Sequence, residues 1–250
     1  IEIVLNRPDK RNAINLSMMQ ALDAAITEVE KNRPARVVII RGEGDGFSSG
    51  IDLKGFPSIA EVFGENWQDN LFPVTAYMQG VLNRIEQCRL PVIALLHGFC
   101  FGLGLELALA CDLSIATEST TLGFRESRIG LIPDVGGTTR LTRLVGPARA
   151  KELIMTGRDF SADSAERWGI VNHVVVEDAL VARGRTLADE LVSAAPLAVS
   201  FTKKIINGIA DIERGQQLEA WAQSVLIRTE DFAKGVAGML TNEAVEWKGR

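Results

Sequence analysis

The chain has 250 residues, 46% of them apolar, and carries a net charge of −5 from 27 basic and 32 acidic side chains. That size allows one large core with an appendage, and the acidic balance with scattered lysines and arginines excludes a broad nucleic-acid surface. No apolar run approaches the ~18 residues of a membrane span, and Cys88, Cys100 and Cys111, lacking metal-like spacing, read as free thiols of a reducing compartment, the cytoplasm.

Ile1-Glu-Ile-Val-Leu5 reads as a strand rather than a signal peptide. An amphipathic helix follows, because Leu16, Met19, Leu22, Ile26 and Val29 fall three or four apart, and Ser17 with Gln20 fits a capping box. A second strand, Val37–Ile40, precedes Gly46-Phe-Ser-Ser-Gly50. Between Gly55 and Gln87, Phe56, Phe63, Trp67, Phe72 and Tyr77 are set among polar residues, as in a loop and helix bordering an apolar pocket that selects substrate length. The run Val92–Leu96 ends in His97-Gly98 and passes through Gly102-Leu-Gly-Leu-Glu106, so a buried strand is predicted to turn sharply into a helix with Glu106 in its first turn. A helix start presents unpaired N–H groups and partial positive charge, which suits an oxygen that becomes negative during a reaction.

Strand-like runs at Leu113–Ala116 and Val174–Val176 continue the alternation with helical segments, which gives an α/β fold class. From Pro196 the strands stop, and helical sequence runs over Lys203–Ile206, Ile212–Leu226 and Phe232–Leu240. The chain therefore divides into a body, 1–195, and a C-terminal helical region, 196–250. Apolar Trp221 and Val225 in that region point to self-association. Glu126 and Asp134, taken singly, read as a surface acid and a Pro-Asp turn, and Glu106 as a dipole partner of its helix.

Six blocks, in order, change that reading: Asn6–Ile14, Gly46–Leu53, Pro91–Ala94, Gly102–Asp112, Ile129–Pro133 with Gly136-Gly-Thr138, and Thr156–Ser161. Together they resemble the crotonase, or enoyl-CoA hydratase/isomerase, family, over nearly the whole chain. The resemblance implies a spiral of ββα repeats with a C-terminal helical trimerisation region, and a homotrimer or homohexamer. It implies an acyl-CoA substrate, with no membrane or nucleic-acid partner, and no separate cofactor or metal, coenzyme A entering as part of the substrate. The backbone N–H groups that hold the thioester oxygen fall on Ile51 and on Leu103, where many relatives carry glycine. The paired catalytic acids fall on Glu106 and Glu126; Ser49, Gly50, Asp52, Leu53 and Gly102 belong to the substrate-binding blocks, and Lys10, Arg11 and Lys54 are candidates for coenzyme A phosphates. One carboxylate would take a proton from water as it attacks the β-carbon while a neutral acid protonates the α-carbon, which makes hydration the leading reading. Asp134 departs from the usual hydratase pattern and resembles the dienoyl-CoA isomerase branch, which however has aspartate where this chain has Glu106. A non-catalytic acyl-CoA-binding relative is the third reading.

Two patterns point elsewhere. Gly46-Phe-Ser-Ser-Gly50 satisfies G-x-S-x-G, with Ser48, Asp112 and His173 in the order of a hydrolase triad, but five residues, Arg41–Asp45, separate the serine block from its strand. Gly98, Gly102 and Gly104 resemble a dehydrogenase turn, yet the single tyrosine, Tyr77, lies upstream and has Val81 where a lysine is required.

Overall fold

A computed structural model describes residues 1–32, 34–55, 57–67, 69, 71–209, 221–223, 225–241 and 243–250. The strands β1 (Glu2–Leu5), β2 (Val38–Gly42), β3 (Val92–Leu96), β5 (Leu113–Thr117) and β8 (His173–Val175) form a five-stranded sheet in the order β1-β2-β3-β5-β8. Every pairing in it is parallel, Ile40 lying beside Ala94 and Ala94 beside Ser114. β3 is buried along its whole length, as a central parallel strand covered on both faces must be.

The two-residue period of the strands divides the core. Val38, Ile40, Val92, Ala94, Leu96 and Ala116 face one cluster with α1 (Leu16–Lys31) and α3 (Phe72–Gln87). The alternate residues Ile39, Ile93, Leu95 and Ile115 pack on the other face with Leu180 and Leu187 of α7 (Leu180–Val192). α1 buries Leu16, Met19, Leu22, Ile26 and Val29, the predicted stripe. Its cap is Asn15, not Ser17: the Asn15 side chain accepts from the Met18 N–H at 3.0 Å, and Ser17 is already inside the helix.

Three short strands were not anticipated from sequence. β4 (Phe99–Phe101), β6 (Thr121–Gly123) and β7 (Asp159–Ser161) form a second sheet in the order β4-β6-β7. The chain thus repeats a unit: a long strand in the first sheet, a turn, a short strand in the second, then a helix. β3 and β4 lead to α4 (Leu103–Ala110); β5 and β6 lead to α5 (Gly137–Thr156), which is interrupted at Gly146-Pro147. The segment after β2 follows the same rule through bridges from Ser48 to Cys100 and from Ile51 to Ile14.

The mixed stretch after Gly55 folds as α2 (Pro57–Phe63) and α3. Phe63 and Tyr77 are ring neighbours and pack with Trp67 against the main core, whereas Phe72 is exposed; Phe56 lies outside the described residues. α6 (Ala162–Arg167) precedes β8, and α8 (Pro196–Gly208) and α9 (Glu230–Thr241) lie further along the chain, with helical residues also at 221–223 and 225–226. Of the predicted Ile212–Leu226 helix, residues 212–220 and 224 are outside the described set. All three cysteines are free, and no described helix is long and apolar enough to cross a membrane.

Candidate active site

The parallel register of β4 and β6 assembles the acids. Phe101 lies beside Gly123, and the Gly102 N–H donates to the Gly123 carbonyl at 2.9 Å. The residues leaving the two strands therefore emerge together: Gly102-Leu103, opening α4, on one side, and Phe124-Arg125-Glu126 on the other. Gly102 has φ +50, and a Cβ there would come within 2.6 Å of Glu126 Oε1, so only glycine admits this carboxyl beside the helix start. Glu126 Oε2 is buried without a hydrogen-bond partner among the described residues.

Glu106 lies one turn into α4 and is 1% exposed. Its Oε2 accepts from the Gly137 N–H, the first amide of α5, at 3.1 Å. That amide favours the charged carboxylate, but burial and the neighbouring Glu126 outweigh it and push the Glu106 carboxyl up to about 8. Glu126 is raised as well, chiefly by burial, with Asp134 adding to it. Two like charges in so dry a place do not ionise together, so near neutral pH the pair keeps a proton.

Asp134 is half-buried within electrostatic reach of both glutamates. Its Oδ2 accepts from Thr75 Oγ1 at 2.9 Å, and its carbonyl from Gln79 Nε2 at 2.6 Å. Thr75 and Gln79 lie one turn apart on α3, which therefore borders the acids. Sequence reading missed both; their spacing is that of a helix face, but nothing in the chain names the acid they hold.

The segments that carry the two expected N–H groups run side by side. Ser48 bridges Cys100 in parallel, so Ile51 and Leu103, each three residues further, come to the same level. Leu103 is the first residue of α4, where a helix leaves its N–H unpaired. Ile14 donates to Gly50 O at 2.8 Å and accepts from Asp52 N at 2.9 Å, a pattern that turns the intervening Ile51 N–H to the opposite side. An ideal Cβ on Gly50 would stand 3.5 Å from Leu103 N, a measure of how closely the segments approach.

The remaining candidates are spread around this centre. Ser49 is half-buried, and its N–H donates to Arg11 O at 3.0 Å. Asp52 is engaged by the Arg7 guanidinium through two 3.0 Å hydrogen bonds, and its Oδ1 accepts from Lys54 N. Leu53 is exposed. Lys10 and Arg11 lie on an exposed turn, with the Arg11 guanidinium 4.3 Å from the Phe99 ring centroid. The hydrolase triad is not assembled: Ser48 is fully buried, Asp112 binds Lys203 at 2.7 Å, and His173 contacts Arg183.

The family model described as "Enoyl-CoA hydratase/isomerase" matches residues 1–250. The chain is 39% identical over 243 residues to the Bos taurus protein named enoyl-CoA hydratase domain-containing protein 2, mitochondrial, covering 94% of this chain and 80% of that one. It is 33% identical over 238 residues to a Dictyostelium discoideum mitochondrial protein named Delta(3,5)-Delta(2,4)-dienoyl-CoA isomerase, covering 92% and 81%. A crystal structure titled enoyl-CoA hydratase from Bacillus anthracis superposes with a TM-score of 0.92 at 34% identity, covering 100% of this chain and 95% of that one.

Proposed function

Because this chain belongs to the enoyl-CoA hydratase/isomerase family, we propose that it hydrates a trans-2-enoyl-CoA, adding water across the α,β double bond. The observation that carries this reading is the pairing, beside the start of α4, of buried Glu106 with half-buried Glu126, one of whose oxygens has no hydrogen-bond partner among the described residues; burial and the neighbouring charge that push Glu106 up to about 8 favour one shared proton near neutral pH. The thioester oxygen would rest on the N–H groups of Ile51 and Leu103, which stabilise the enolate formed as water attacks; a donor of this kind contributes about 3 kcal/mol in the transition state. One carboxylate takes a proton from water as the oxygen bonds to the β-carbon. The carboxylic acid gives its proton to the α-carbon, so the pair ends as it began and no separate cofactor is required.

A second reading is double-bond isomerisation of a dienoyl-CoA. Asp134, hydrogen-bonded to Thr75 and acting on both glutamates, favours it by supplying a third acid along which a proton can be relayed. The homotrimer or homohexamer implied by the family likeness, and a place in the reducing cytoplasm fitting the three free thiols, complete the proposal.

The test is loss of conjugated enoyl absorbance when purified protein meets a trans-2-enoyl-CoA, with Glu126→Gln as control. Rapid loss that falls at least ~100-fold in the variant is expected. No loss by protein that binds coenzyme A thioesters, together with turnover of a 3,5-dienoyl-CoA, would replace hydration by isomerisation. If Glu106→Gln and Glu126→Gln change no activity, the binding-protein reading takes over.

A further inference from the structure

Ser48, the serine of the G-x-S-x-G pattern, is not a nucleophile, and its bonds give it another task. It is fully buried; its hydroxyl donates to Asn12 O at 2.8 Å and accepts from the Gly50 N–H at 3.2 Å. Its main chain bonds in the other direction: Ser48 N donates to Phe99 O at 3.2 Å, and Ser48 O accepts from Phe101 N at 3.0 Å. One residue thus ties the loop that delivers Ile51, by its side chain, to the strand that runs into Leu103, by its backbone.

Resting on the oxyanion reading above, we propose that Ser48 is a positioning residue that fixes the separation and angle of the Ile51 and Leu103 N–H groups. The two donors come from segments far apart in sequence, and such a pair works only when held to within about 0.5 Å. The surroundings are built for that tolerance. The first turn of α4 rests on Ser48, since a Cβ on Gly104 would come 2.6 Å from Ser48 Cβ. The acceptor is rigid too: Asn12 is fully buried, and its side-chain amide donates to Glu43 O at 2.8 Å and Gly46 O at 2.9 Å. Gly50, at φ +96, is the pliable link to Ile51, and the Ser48 hydroxyl holds its N–H. Without that oxygen, Gly50 N and Asn12 O lose a buried partner, and the loop relaxes where Ile51 is aimed.

Two measurements on wild type and Ser48→Ala test this: steady-state turnover of a 2-enoyl-CoA, and the absorption band of bound 4-(dimethylamino)cinnamoyl-coenzyme A, which moves to longer wavelength when its carbonyl oxygen is polarised. Wild type should show the red shift. Ser48→Ala should lose most of it, with kcat down about tenfold and KM within about twofold, as expected when only transition-state binding suffers. A full red shift and unchanged kcat in folded Ser48→Ala overturn the positioning role alone. No red shift in wild type overturns the oxyanion reading and this inference with it. Should Ser48→Ala fail to fold, Ser48→Cys, a weaker hydrogen-bonding group of similar size, takes its place; a smaller shift is then expected, and an unchanged one counts against the proposal.

Discussion

Glu106 is the side chain whose ionisation the fold disturbs most instructively, because a helix amide holds it charged while burial and Glu126 hold it neutral, and the latter win. The proton shared by the pair is therefore expected to leave as pH rises through about 8, and kcat should fall above that pH. Stability follows the same sign. A carboxyl raised in the folded state favours folding fully below its unfolded value near 4.5, and that contribution is lost as pH climbs through about 8. Glu106→Gln should thus unfold close to wild type at pH 5 and be clearly more stable than it at pH 9, in thermal melts at the two pH values. The acids themselves were legible only through the likeness of the surrounding blocks to a family, because a glutamate in the first turn of a helix has by itself the plainer reading of a dipole partner. Their mutual placement was not, since it depends on the pairing of β4 with β6, strands too short to leave a periodic signal. Thr75 and Gln79 were hidden for a related reason: on an amphipathic helix, two polar residues a turn apart look like a solvated face.

Among the elements, α1 and β3 were plain in the sequence because a long stripe and an unbroken apolar run each have one physical reading. The cap of α1 was not, since Asn15 and Ser17 are both competent acceptors and only the backbone decides between them. α8 carries the clearest energetic consequence. Lys203, 8% exposed, donates to Leu90 O at 2.9 Å, Ile85 O at 3.3 Å and Asp112 Oδ2 at 2.7 Å, joining the C-terminal region to the end of α3 and the start of β5. Burial raises the Asp112 carboxyl while Lys203 lowers it, so the lysine is what keeps that acid tolerable. Lys203→Met is expected to cost about 3 kcal/mol by leaving the acid without a counter-charge, its Oδ2 then held only by the Val92 N–H among the described residues, with Asp112→Asn in the same chain recovering part of it. Urea unfolding of the single and double variants measures both.

At the scale of the molecule, the family and its α/β body follow from blocks distributed along the whole chain, whereas the proposed assembly would be carried by surfaces. Ile129, Leu131 and Ile132 beside the acids, and Ile206 and Trp221 in the C-terminal region, all remain exposed in the single chain. A cleft of about 760 Å³ between α5 and α8 is bordered by Leu144 and Ile206. Such a surface is expected to be covered by further copies, giving a mass of three or six chains by sedimentation, with Ile206→Glu shifting the protein toward smaller species. The encasement of α4 has a different reach. Every residue from Leu103 to Ala108 is buried, so the helix that bears the proposed amide donor and one acid offers almost no position where a mutation is harmless. Descendants of this chain that take up a new reaction must then keep α4 and vary what leans against it, the half-exposed turn from Glu126 to Asp134 and the facing side of α3. Under the proposed mechanism, inheritance of enolate stabilisation and divergence of its outcome would belong to separate parts of one site.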